Sequence, residues 1–330
     1  MGTYDISPSW QEEVKIKSWG SVPSMENSSI GTDLIAWNNF KPLLEKSVKA
    51  GQTFSNGVVS TYSLVYIGAN VYAGGVLAPN GDIHFVPANA NRGQKVSING
   101  TVSTYSLVYI GANVYTGGVL APNGDIHFIP YAANRGQKVA VDGTVSTYSL
   151  VYTTSYAYGG GVLAPNGDIH FVPLNATVGQ KVAADGTVST YSLVSTGGGA
   201  YIGGVLAPNG DIHFVPANAN RGQKVSVDGT VSTYSLVYIG SYFGGVLAPN
   251  GDIHFVPSNA NRGQKVSVDG TVSTYSLVYT TANAYGGGVL APNGDIHFVP
   301  LTANRGQKVS TGAAIPFNIG TCCSSFFNKL

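Results

Sequence analysis

Short runs of alternating apolar and polar residues fill most of this chain. In residues 61–66, Tyr62, Leu64 and Tyr66 alternate with Thr61, Ser63 and Val65, and in 82–85 Ile83 and Phe85 alternate with Asp82 and His84. A period of two places successive side chains on opposite faces of a strand. The segments GGVLAP, DIHFVP, GQKVSVD and TVSTYSLVY are rich in β-branched and aromatic residues, and Gly and Pro punctuation excludes apolar spacing of three and four residues. Four strands per unit are predicted. Asn-Gly at Asn80/Gly81 reads as a two-residue hairpin turn of type I′, with positive φ at both positions. A second such turn stands at Asn99/Gly100, and as Asp-Gly in later copies.

The unit is a repeat. GGVLAPNGDIHFVP, or a close variant, begins at Gly74, Gly117, Gly160, Gly203, Gly244 and Gly287, at 43-residue intervals broken once by 41. That period falls in the range of propeller blades. The chain should therefore be an all-β, six-bladed β-propeller of four-stranded antiparallel blades. Residues 51–66 supply a third and fourth strand with no first or second, whereas 287–310 supply a first, second and third with no fourth. Closure by the N-terminal strand would complete the sixth blade and remove an open sheet edge. Of the seven third-strand segments, 51–55 is the one expected to lie outside the sheet.

GGVLAPNGDIHFVP followed by GQKVSVDG resembles the blade of NHL-type and related six-bladed propellers, in which a G-V-A-x-x-P-x-G-x-I-Y-V run forms the inner strand, turn and second strand. The resemblance implies an inner strand at 74–79, then strands at 82–87, 93–99 and 101–109. It implies nothing about a ligand.

Three parts follow: a propeller at 51–310, an N-terminal extension at 1–50 and a tail at 311–330. The extension contains Trp10, Trp19 and Trp37, and TDLIAWNNFKPLLEKSVKA from Thr32 reads as short helical pieces interrupted by Pro42. The 10% charged content and net charge of +1 argue against nucleic acid as partner. No signal peptide or membrane span is read, and two adjacent cysteines, Cys322 and Cys323, form no disulfide framework and suit a cytoplasmic location without fixing the compartment.

In a meander, both tight turns fall at one end of the blade and both longer connections at the other. The longer connections vary among copies and are the candidate binding face. There the sequence places a tyrosine four residues before each inner-strand valine (Tyr72, Tyr115, Tyr158, Tyr201, Tyr242 and Tyr285). It also places five arginines (Arg92, Arg135, Arg221, Arg262 and Arg305), each preceded by an asparagine (Asn91, Asn134, Asn220, Asn261 and Asn304). Blade three has Thr177 and Val178 instead. A ring that stacks on C–H surface beside a forked guanidinium suits glycans or similar small polar ligands.

One histidine per blade, as His84, invites a metal ring, but the second strand stands back from the axis, so no metal and no cofactor is expected. Near-identical blades offer no differentiated acid, base or nucleophile. The expectation is a non-enzymatic, multivalent, lectin-like module without catalytic residues. The alternative is a structural or assembly protein whose termini contact a partner.

Overall fold

The computed structural model describes residues 60–312, and the expected helical extension and tail lie outside them. All of the regular structure described is β. Blade one consists of β1 (Tyr72–Leu77), β2 (Ile83–Pro87), β3 (Arg92–Val96) and β4 (Val102–Ser106), paired antiparallel in that order. Four further sheets repeat this order, and a sixth has three strands, Tyr285–Leu290, Asp295–Pro300 and Gln307–Ser310.

The tight turns differ from the expectation. Gly81 and Gly100 take positive φ, 86° and 84°, while the preceding Asn80 and Asn99 do not. Gly81 N–H donates to Ala78 C=O at 2.9 Å and Ala78 N–H to Asp82 C=O at 2.8 Å. This is the longer hairpin connection that ends on a left-handed glycine. Pro79 presets its first corner.

Strand one begins two residues earlier than the repeat suggests. Its pairing with strand two slips between Tyr72 and Gly75, a bulge repeated in later blades. This bulge draws the tyrosine into the sheet.

The core lies between blades. Val76 and Val86 of blade one pack with Tyr115, Ile126 and Phe128 of blade two, and equivalent clusters fill the four following junctions. Close approach requires glycine in the inner strand: a Cβ on Gly118 would lie 2.6 Å from Val76 Cγ2. Each junction is also pinned by a glutamine, fully buried at four of the five and half-buried at the last, Gln307. Gln137 Oε1 accepts from Val108 N–H at 2.9 Å and Tyr109 N–H at 2.7 Å, the end of the preceding blade.

The two end blades lack this cover. Val289 and Val299 of blade six are 44% and 46% exposed, against 6% and 0% for their blade-five counterparts Val246 and Val256. Residues 60–66 carry the fourth-strand sequence but lie outside any strand, although Val65 N–H and Tyr66 N–H dock on Gln94 as the other strand ends do. Among the described residues, 60–66 take no part in the sixth sheet. The 51–55 segment lies outside the described residues, and 307–310 belongs to the sixth sheet.

Candidate functional site

At the tight-turn end each of blades one to five builds one polar unit. Gly93 faces Tyr105 across the sheet, and a Cβ there would fall 2.1 Å from the tyrosine ring. The bare glycine lets the ring lie across strand three and reach His84 Nδ1, 3.2 Å from its hydroxyl. Burial, then the charge of Lys95, lowers the His84 pKa to about 4, so the imidazole is neutral near pH 7. Asp82 accepts from Lys95 Nζ at 2.7 Å. Burial raises this carboxyl, but the bonds and charge of Lys95 outweigh it and the net shift is downward. One lysine of every blade is thus half of a repeated ion pair.

His170 and Lys181 line a cleft of about 140 Å³ with Val227 and Asp228 of the next blade. With Nδ1 bonded to Tyr191, the ring nitrogen left for a visitor is Nε2. Among the described residues no three of His, Cys, Asp or Glu gather as a metal would require.

The loop end corrects the tyrosine assignment. Tyr115, Tyr158, Tyr201, Tyr242 and Tyr285 are buried, and Tyr72 is partly buried. The bulge turns each ring onto the phenylalanine of strand two; Tyr115 and Phe128 centroids are 5.7 Å apart. The Tyr115 hydroxyl donates to Arg135 C=O at 3.2 Å. These rings belong to the packed junctions and present no stacking face.

The asparagines and arginines do stand at the surface: all five Asn–Arg pairs are exposed. For four of the pairs an aromatic neighbour missed in the sequence is the tyrosine three residues beyond strand four of the preceding blade; before Asn220 that place is Ser195, and Tyr152 stands before Thr177 instead. Tyr66, Tyr109, Tyr152, Tyr238 and Tyr279 are half-buried, and Asn91 N–H reaches Tyr66 Oη at 3.5 Å. The VY that ends TVSTYSLVY was the available signal. Asn89, two residues before Asn91, is a clasp: its Nδ2 donates to Asn70 C=O at 2.8 Å, and its Oδ1 accepts from Asn113 N–H of the next blade at 2.9 Å.

The junction of blades two and three differs from its neighbours in its aromatic and hydroxyl side chains. Where other loops place Asn70, Asn113 and Asn283 at φ near 50°, blade three has Tyr156 at 59°. Asparagine tolerates this left-handed conformation, whereas a tyrosine there is a strained outlier. Its ring meets Tyr131 edge-on at 4.8 Å. Beside it, Thr177 N–H and Oγ1–H both lie 3.4 Å from Tyr152 Oη. Bonds from Thr154 and Thr177 lower the Tyr152 pKa, whereas burial pushes Tyr72 up to about 12. Arg135 stands on the same blade as Tyr152.

The six inner strands surround a central channel of about 210 Å³, lined mainly by glycine and without an ionisable side chain. It supplies no acid or base. Among the described residues no helix is long and apolar enough to cross a membrane.

A family model described as the virginiamycin B lyase family matches residues 78–322. No curated protein matches the chain. Among solved structures, selenomethionine-substituted virginiamycin B lyase from Staphylococcus aureus aligns with a TM-score of 0.64 at 19% identity, covering 73% of this chain and 81% of that one. A catalytically inactive His-to-Ala variant of the S. aureus enzyme with quinupristin aligns at 0.63 and 19%, covering 76% and 87%. A streptogramin B lyase aligns at 0.60 and 21%, covering 73% and 84%. The resemblance to known propellers holds at the level of a β-propeller-type repeat. The expectation of a non-enzymatic lectin-like module or scaffold is overturned, because the matching family is one of enzymes. Uniform blades concealed the junction of blades two and three.

Proposed function

Because this chain belongs to the virginiamycin B lyase family, we propose that it is a lyase whose reaction takes place at the loop end, at the junction of blades two and three. The family match over residues 78–322 carries the reading. A lyase cleaves by elimination: a base removes a proton beside an electron-withdrawing group, and cations or hydrogen-bond donors stabilise the charge that develops. Tyr152 is the base on this reading, since its hydroxyl stands at this junction bonded to Thr177 and the bonds from Thr154 and Thr177 lower its pKa. Arg135 and Asn134 orient the substrate, and Tyr131 and Tyr156 form its apolar wall. The other exposed Asn–Arg pairs extend the same surface. No cofactor is invoked.

Quinupristin, bound by the S. aureus relative, is the first substrate to try. Mass spectrometry separates the mechanisms, because elimination products sum to the mass of the substrate while hydrolysis adds one water. Turnover lost in Tyr152→Phe and kept in Tyr238→Phe is the expected result. Equal turnover in both variants would remove Tyr152 from the mechanism.

We also infer that the ring is closed by residues 60–66 pairing with Gln307–Ser310. Supporting this, the sixth sheet lacks a fourth strand and His297 is exposed where its counterparts are covered by a fourth-strand tyrosine.

A further inference from the structure

The described residues separate their charge by end. The loop end carries Arg92, Arg135, Arg221, Arg262 and Arg305, all exposed, and no Asp or Glu. None of these guanidiniums makes an ion pair or side-chain hydrogen bond among the described residues. At the tight-turn end six lysines are each paired with an aspartate, as Lys138 with Asp125 at 2.6 Å. Four further aspartates, Asp142, Asp185, Asp228 and Asp269, are fully exposed and have no cation. Their carboxylates are held by their own turns, and bonding from Thr144 lowers the Asp142 pKa.

Each charged ring is flanked by apolar side chains. Val108, Val151, Val194 and Val237 at the loop end are 60–62% exposed. Ile98, Val141, Val227 and Val268 at the turn end are 59–62% exposed. The arginines lie where strand two passes to strand three, and the aspartates where strand three passes to strand four. Their radii therefore differ by about one strand spacing, roughly 4.8 Å, within reach of an arginine side chain.

We propose that the loop end of one chain docks on the tight-turn end of a second copy, so that the rings stack head to tail. Five unpaired cations meet four unpaired anions, and aliphatic side chains meet aliphatic side chains. Like ends cannot pair, because each presents one sign of free charge. The contact joins two different surfaces and so does not close on itself, allowing columns longer than two. A stacked ring has its loop end covered, so stacking and access to the Tyr152 site exclude one another.

Light scattering on the full chain tests this. At low salt the native chain is expected to show at least twice the mass of a single chain, falling to one chain at about 0.5 M salt, where charges are screened within a few ångströms. Two neutralised variants remove one end each, and both changes have precedent in the fold. Asp142, Asp185, Asp228 and Asp269→Asn keeps the turn bond that Asn99 already makes to Thr101 N–H at 3.0 Å. Arg92, Arg135, Arg221, Arg262 and Arg305→Gln follows Val178, which stands at the arginine position of blade three. Each variant alone should remain a single chain, whereas an equimolar mixture of the two should form a species of two chains and no more. A native chain that stays single at low salt overturns the proposal. So does undiminished association in either variant, or a mixture that stays single.

Discussion

At the scale of single residues, two placements determine chemistry that residue type alone leaves open. Tyr156 holds a left-handed backbone that asparagine holds in three other loops. Relief of such strain is worth on the order of 1 kcal/mol. Tyr156→Asn should therefore raise the thermal midpoint while lowering kcat/KM, and a loss of both would show the ring to be structural. The histidines make the second case. His84, His127, His170, His213 and His254 are held near a pKa of about 4 against an ordinary 6.5. Above pH 6.5 folded and unfolded chains bind the same number of protons there. Between 6.5 and 4 the unfolded chain binds more, so stability falls as pH falls. Urea midpoints measured across that interval should decline steadily, and a flat profile would mean that the imidazoles reach water.

At the scale of elements, the junction between blades is the cooperative unit. A sheet this small is covered only when its neighbour packs on it, and the core clusters accordingly draw residues from two blades each. Gln137 adds a polar pin to that apolar contact. Gln137→Leu keeps much of the volume but leaves two backbone donors unpaired, at about 1–3 kcal/mol each when buried. The variant should lose at least about 2 kcal/mol in urea unfolding. A loss below about 0.5 kcal/mol would mean that water replaces the amide.

At the scale of the whole molecule, the seam between the first and last blades is where the ring closes on the proposed reading. Lys95 lies opposite Ser103 in blade one, and Lys308 and Ser60 occupy the same repeat positions. With Cys322 and Cys323 changed to serine, a Ser60→Cys/Lys308→Cys chain should form an internal disulfide that raises the thermal midpoint. Cross-linked dimers instead would mean that strands are exchanged between chains, and free thiols would mean that the ring stays open.

The repeat, the four-strand blade and the identity of the turn glycines were legible because each rests on local rules: alternation, β-propensity and the positive φ that glycine accepts. The Asn–Arg pairs were also legible as surface residues, since the loops that carry them vary and are polar. Tertiary packing decided the rest. A bulge of one residue carried Tyr115 and its counterparts from the presumed loop into the junction, and no spacing rule reveals a bulge. Tyr105 became the partner of His84 because Gly93 leaves room for its ring, a contact between residues 21 apart in sequence. Tyr152 is bonded by Thr154 and Thr177, the second brought to it by the next blade. Local preference sets which strand a residue occupies, but the environment of an ionisable group is set by whatever the fold packs against it.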